Sequence, residues 1–177
     1  MEQIRLLTVR DLAEAIRPGA PEDEIVFVTR RIRHWTLAGA LQTVGEVHSG
    51  VGRHRRYSTD AVYFAAILDA LADGGLPLEA LKLVAEQLRK WWAEVGDGRN
   101  GRGGLNYAID GKGVAIYLCV EVRLSTGDPS RDWVRASLSD AKYLSEQLAR
   151  KGRIPEQFVS MLNLTDVLKR VVVPEVT

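Results

Sequence analysis

Cysteine is nearly absent from this chain, with Cys119 as its single thiol. That excludes a disulfide framework and any zinc site built on a cysteine pair from one chain. Long apolar runs are missing as well: no stretch approaches the roughly 18 consecutive apolar residues of a membrane span. The opening Met1-Glu2-Gln3-Ile4-Arg5 does not lead into an apolar core, so no secretory leader is expected. These absences together fit a reducing cytosol. Catalytic patterns are also lacking. There is no phosphate-binding glycine loop, no Gly-x-Ser-x-Gly and no His-Glu-x-x-His, and the carboxylates are scattered. His34, His48 and His54 are the only histidines and lack metal-ligand spacing. The chain is therefore not expected to be an enzyme, and no metal or other cofactor is expected.

What is present is ordinary in amount and uneven in placement. The chain has 177 residues, 46% apolar and 27% charged, enough for one domain or two small ones. Its net charge is only +1. Yet positions 28–57 hold Arg30, Arg31, Arg33, Arg53, Arg55 and Arg56 against one acid, Glu46, so the remainder is acidic. All three histidines lie in the same stretch. A local cationic patch on a nearly neutral chain is the electrostatic footprint of a nucleic-acid-binding module, because phosphates attract arginine whatever the base sequence. The plainer alternative is a solvated basic face.

Five glycines fall within positions 96–104, Gly-Asp-Gly-Arg-Asn-Gly-Arg-Gly-Gly. This composition reads as a linker, too short for an Arg-Gly nucleic-acid segment, and divides the chain into 1–95 and 105–177. The first part reads as helices. Thr8 caps a helix Val9–Ile16, with Asp11 completing a capping box, and Arg17-Pro18-Gly19 stops it. Pro21 and three acids begin a second helix. In it Ile25, Val28, Ile32 and Trp35 form one face, and Gly39 ends it. Positions 41–57 lack helical period and suit a β-hairpin, or wing. Ser58 or Thr59 caps an almost wholly apolar helix Asp60–Asp73, stopped by Gly74-Gly75. Pro77 opens a last helix with a Leu81, Val84, Leu88, Trp91, Val95 stripe.

The second part mixes strand and helix. Positions 107–109 and 114–124 suggest a hairpin about Asp110-Gly111, with Cys119 as packing within the longer strand. A helix is expected near 138–151, a strand over 158–164 and a short helix over 166–171. Asn163-Leu164-Thr165 matches a glycosylation acceptor, read as coincidence, with Thr165 as a helix cap. In Trp91-Trp92, one ring is expected to pack on the domain and the other to lie in an interface; an aromatic ligand cage is the alternative.

The order helix, second helix, glycine-containing wing and two further helices resembles the MerR-type winged helix-turn-helix. Ile32-Arg33-His34-Trp35 with Gly39-Ala40-Leu41 is similar to that family's Leu-Arg-Tyr-Tyr followed by Gly-Leu-Leu. Arg55-Arg56-Tyr57-Ser58-Thr59-Asp60-Ala61-Val62 resembles its Arg-Arg-Tyr-Ser, polar, acid, Val motif, and Gly75-Leu76-Pro77-Leu78-Glu79 its turn into the fourth helix. The likeness covers positions 5–88. The chain departs from the family in three ways. Positions 17–27 are longer than the family's turn, and His34-Trp35 replaces two tyrosines. The last helix is short, about five turns, where the family has a long dimerising coiled coil. The thiol metal site is also missing, so effector and dimerisation mode are not carried over.

With the mixed strand and helix of the second part, the resemblance gives an expected α+β chain: a MerR-like winged helix-turn-helix domain, then a small mixed α/β domain expected to serve dimerisation or partner binding. It implies a bacterial, sequence-specific transcriptional regulator of double-stranded DNA, cytoplasmic and nucleoid-associated. Such a protein acts as a homodimer on an inverted repeat, with RNA polymerase or another protein as a further partner and no membrane. The helix around 28–37 would enter the major groove, with Thr29, Arg30 and Arg31 at or near base edges. Arg33 and His34 would hold phosphates. Arg53, His54, Arg55 and Arg56 would contact backbone or minor groove at the end of the wing. Tyr57 would either pack in the core or donate to phosphate. Two rival readings are an excisionase-like DNA-bending accessory protein and a protein-interaction adaptor that no longer binds DNA.

Overall fold

The computed structural model describes residues 6–45, 55–93, 115–123, 133–142, 145–146 and 158–174. Helix α1, Val9–Ile16, begins at a reciprocal cap. The Thr8 hydroxyl accepts from the Asp11 N–H at 3.2 Å, and Asp11 Oδ2 accepts from the Thr8 N–H at 2.7 Å. Helix α2, Glu22–Leu37, starts after Pro21, with Glu22, Asp23 and Glu24 in its first turn, where the helix dipole favours negative charge. It ends in a Schellman closure. Gly39 adopts φ 80°, its N–H reaches the Thr36 carbonyl at 3.1 Å, and the Ala40 N–H reaches the Trp35 carbonyl at 2.9 Å.

Helix α3, Asp60–Asp73, closes the same way through Gly75 at φ 86°. Thr59 stands at its cap position, but its side chain makes no capping hydrogen bond. Seven apolar residues of α3 are buried, and so is one acid, Asp69. Helix α4, Leu78–Ala93, buries Ala80, Leu81, Val84, Ala85 and Leu88. Leu81, Val84 and Leu88 of its apolar stripe are thus packed in this chain's own core, Trp91 is half-buried, and Val95 lies outside the described residues.

The segment between α2 and α3 pairs antiparallel at two bridges, Val44 with Arg56 within it and Tyr57 with Leu7, which precedes α1. The first forms the base of the expected wing. Its tip, including Glu46, His48, Arg53 and His54, lies outside the described residues.

Strand β1, Ile116–Arg123, is the centre of an antiparallel sheet of order β2-β1-β3, flanked by β2, Trp133–Asp140, and β3, Phe158–Asn163. Ile116, Leu118 and Val120 are buried, while Tyr117, Cys119 and Glu121 are half-buried, which is the expected alternation. The expected partner at 107–109 and the glycine-rich segment 96–104 lie outside the described residues.

Two expectations need correction here. Positions 138–140 are not helical: Leu138 pairs with Leu118, and Asp140 with Ile116, at the end of β2. Val134, Ala136 and Leu138 alternate with Arg135 and Ser137, a strand period that outweighs the helical reading. Helical backbone is present at 141–142 and 145–146. The other concerns Thr165. The short helix α5, Leu164–Lys169, is capped by Asn163, whose side chain accepts from the Asp166 N–H at 3.2 Å. Thr165 is buried inside the helix, and its hydroxyl accepts the Ile116 N–H at 2.9 Å.

The described parts on either side of 96–104 share one buried core. Leu164 and Leu168 of α5 and Ile116, Leu118 and Val120 of β1 belong to the same apolar cluster as α1–α4. Beyond α5, the Val172 N–H reaches the Ala15 carbonyl of α1 at 3.0 Å. The class is α+β. No helix among the described residues is long and apolar enough to cross a membrane.

Candidate nucleic-acid interface

Helix α2 has two sharply different sides. Ile25, Val28, Ile32, Trp35 and Thr36 are buried. On the opposite side Arg30, Arg33 and His34 are exposed, with the i, i+3 and i+4 spacing that places side chains together on a helix surface. Three large apolar residues share that exposure: Val26 at 38%, Phe27 at 55% and Leu37 at 57%. Thr29 is half-buried at the margin. Charge is segregated along the helix. The acids lie in the first turn, where Arg10 donates to Glu22 through Nη1 and Nη2 at 2.8 and 2.7 Å, and the cations lie in the last turns.

Arg31 does not share that exposed side. Its Nη1 donates to Asp69 Oδ1 at 2.8 Å and to Asp73 Oδ1 at 2.7 Å, both on α3. Its guanidinium also lies 5.2 Å from the Phe27 ring centre and 5.5 Å from that of Trp35. Arg17, just after α1, donates to the same two carboxylates, through Nε to Asp69 at 2.8 Å and through Nη2 to Asp73. Burial pushes the Asp69 carboxyl up, with Arg17 and Arg31 opposing, and its value stays raised. Burial acts the same way on Asp73, but the hydrogen bonds from Arg31 and Arg17 prevail and hold it below the ordinary value. Arg17 is raised: burial would lower it, and its two carboxylates outweigh that. The four residues clamp the α1–α2 turn, α2 and α3 together, and they commit Nη1 of Arg31 to carboxylates within the chain.

Tyr57 is fully buried. The Thr36 hydroxyl donates its proton to the Ile32 carbonyl at 2.8 Å, so the Tyr57 hydroxyl is the donor in the 2.9 Å bond between them. Of its two readings, core packing is the one observed, and its proton is not turned toward a phosphate. Burial pushes the phenol up. The Thr36 hydrogen bond and the charges of Arg55 and Arg33 oppose it. The Tyr57 hydroxyl, one residue after Arg56 at the wing base, thus ties that segment to Thr36 of α2. Arg56 is exposed beside Arg55, and Arg53 and His54 lie outside the described residues.

The arrangement offers guanidinium groups to phosphate oxygens or to guanine O6 and N7, and exposed aliphatic and aromatic groups to thymine methyls. Sequence reasoning missed the clamp. Its signal was Asp69 and Asp73, spaced i, i+4 on a helix otherwise nearly all apolar, since a buried carboxylate requires a cation partner. Arg31 had a signal as well: it stands three residues after Val28 and four before Trp35, bordering the buried stripe.

Compared with protein-family models and with the sequences of curated proteins, the chain matches none.

Proposed function

We propose that the chain is a sequence-specific double-stranded DNA-binding transcriptional regulator of MerR-like type, acting as a homodimer in the bacterial cytoplasm. One observation carries this reading: Arg30, Arg33 and His34 are exposed on the outer side of α2 while its inner side is buried, and Thr36 of the same helix bonds Tyr57, one residue after the wing-base arginines. In this reading α2 enters the major groove, and Arg55 and Arg56, with Arg53 and His54, follow the flanking backbone. Arg30 and Thr29 approach base edges. Arg33 and His34 hold phosphates. Arg31 is assigned a different part from the one its sequence position suggests: through Asp69 and Asp73 it fixes the angle at which α2 is presented.

The test separates base reading from backbone holding. Arg30→Ala should cost about 1–3 kcal/mol on the best site and much less on random duplex. Equal losses on both would leave Arg30 as a phosphate holder only. A second reading has its own support. The exposed Val26, Phe27 and Leu37 favour a protein-interaction adaptor, whose α2 surface binds another protein in place of DNA. Weak duplex binding that is indifferent to salt would favour it.

A further inference from the structure

An open cavity of about 320 Å³ lies beside the connection between α2 and the wing base. Gln42, Ser58, Asp60, Phe64, Arg89 and Trp92 are among the residues lining it. The lining joins two chemistries. One wall is aromatic: the Trp92 ring lies 5.5 Å from Phe64 and 5.9 Å from Tyr63, centre to centre, and its Nε1 donates to Asp60 Oδ2 at 3.2 Å. The other is a half-buried cation. Arg89 Nη1 donates to the Ala40 carbonyl at 2.9 Å, and no carboxylate pairs with this guanidinium among the described residues. Burial holds Arg89 below the usual arginine range, with only Glu86 opposing. A guanidinium has five donors and seeks planar two-oxygen acceptors, and Arg89 lines this cavity together with Phe64 and Trp92 while one of its nitrogens bonds the Ala40 carbonyl.

We propose that this cavity binds a small aromatic carboxylate, its carboxylate on Arg89 and its ring against Phe64 and Trp92. Asp60 orients the ligand, because its charge disfavours the anionic end near the Trp92 nitrogen. The volume matches small-ligand pockets, which combine apolar walls with a few fixed polar groups. Such a ligand touches the chain just before the wing, at Gln42, and just after it, at Ser58. An effect of the ligand on DNA rests on the function proposed above. Binding itself does not, and it is measured without DNA so that the two ideas fail separately.

The experiment titrates the full chain with phenylacetate, phenylacetamide and phenethylamine, following the Trp92 indole N–H by NMR. Phenylacetate should give saturable shifts at about millimolar concentration or tighter. The neutral amide and the amine should bind about tenfold more weakly or not at all, because each lacks the charge that pairs with a guanidinium. Arg89→Gln should weaken phenylacetate binding by about tenfold or more. Gln42 is exposed at the rim, so its variants keep the fold. Gln42→Lys should tighten phenylacetate binding and Gln42→Glu should weaken it. The proposal is overturned by an absence of saturable shifts up to about 10 mM phenylacetate, by equal affinity for the amide, or by equal affinity in the two Gln42 variants.

Discussion

Replacing Asp69 by alanine removes the buried acceptor shared by two arginines. Its side chain is 4% exposed, against 17% for Arg31 and 33% for Arg17, so the Arg31 pair is the better shielded and the Arg17 pair more screened by water. Deleting one member of a buried ion pair costs about 3–5 kcal/mol, since the charge left behind has lost its partner. Asp73 remains next to both arginines and offsets part of that, so the expected loss is about 2–4 kcal/mol. For a chain of this size that lowers the melting temperature by roughly 5–15 °C. Arg31→Ala should cost a similar amount, and the double variant less than the sum of the two, because the residues share one network. Arg30→Ala, on the exposed side, should stay within about 0.5 kcal/mol of the parent. Urea unfolding at neutral pH, followed by circular dichroism, measures all four. An Asp69→Ala chain as stable as the parent, or equal costs at Arg30 and Arg31, would refute the clamp.

Other outcomes follow from the same geometry. Tyr57→Phe should lose about 0.5–1.5 kcal/mol of stability and leave duplex affinity unchanged, because the lost hydroxyl bonds Thr36 in the core; a fall in affinity at unchanged stability would return Tyr57 to the interface. Thr165→Val should cost about 1–3 kcal/mol by stranding the buried Ile116 N–H, read by urea unfolding. Acid should weaken the clamp through Asp73. Its folded value lies below the ordinary 3.8, so its contribution is full above that value and is lost as pH falls through the folded one. Asp69 is raised and has the opposite sign: its ionisation takes back part of the clamp's stability as pH rises through its folded value, and what remains at neutral pH is what Asp69→Ala removes. Asp73→Asn should therefore lose less stability than the parent on acidification from about pH 5 to 2.

Local signals carried the helices. The Thr8 and Asp11 cap, the positive-φ glycines at 39 and 75, and the apolar spacing of α2 and α4 act within a few residues, so they can be read without knowing what lies opposite. Tertiary partners were harder. Arg30, Arg31 and Arg33 look alike in the chain, and only the phase of α2 against Asp69 on α3 turns one of them inward. Thr165 shows the same limit. Its sequence suits a cap, but β1 placed beside α5 supplies an N–H that the hydroxyl satisfies better, and Asn163 takes the cap instead. Strand β2 carried its period in Val134, Ala136 and Leu138, obscured by the helix formers that follow Asp140. For the candidate interface, exposure of Arg30, Arg33 and His34 was legible from the buried stripe on the other side of α2. The inward turn of Tyr57 depended on Thr36, a residue that looked like one more polar position.

The central claim is that the exposed cations of α2 and the wing base hold duplex DNA. Its most direct test is fluorescence anisotropy of the full chain with a labelled duplex across a range of salt concentrations. The account predicts a steep linear fall of log K with log salt, about −0.9 per phosphate neutralised, and for Arg33→Ala a slope shallower by about one unit with weaker binding to every sequence. A slope near zero in the parent, or an Arg33→Ala chain with unchanged slope and affinity, would contradict it.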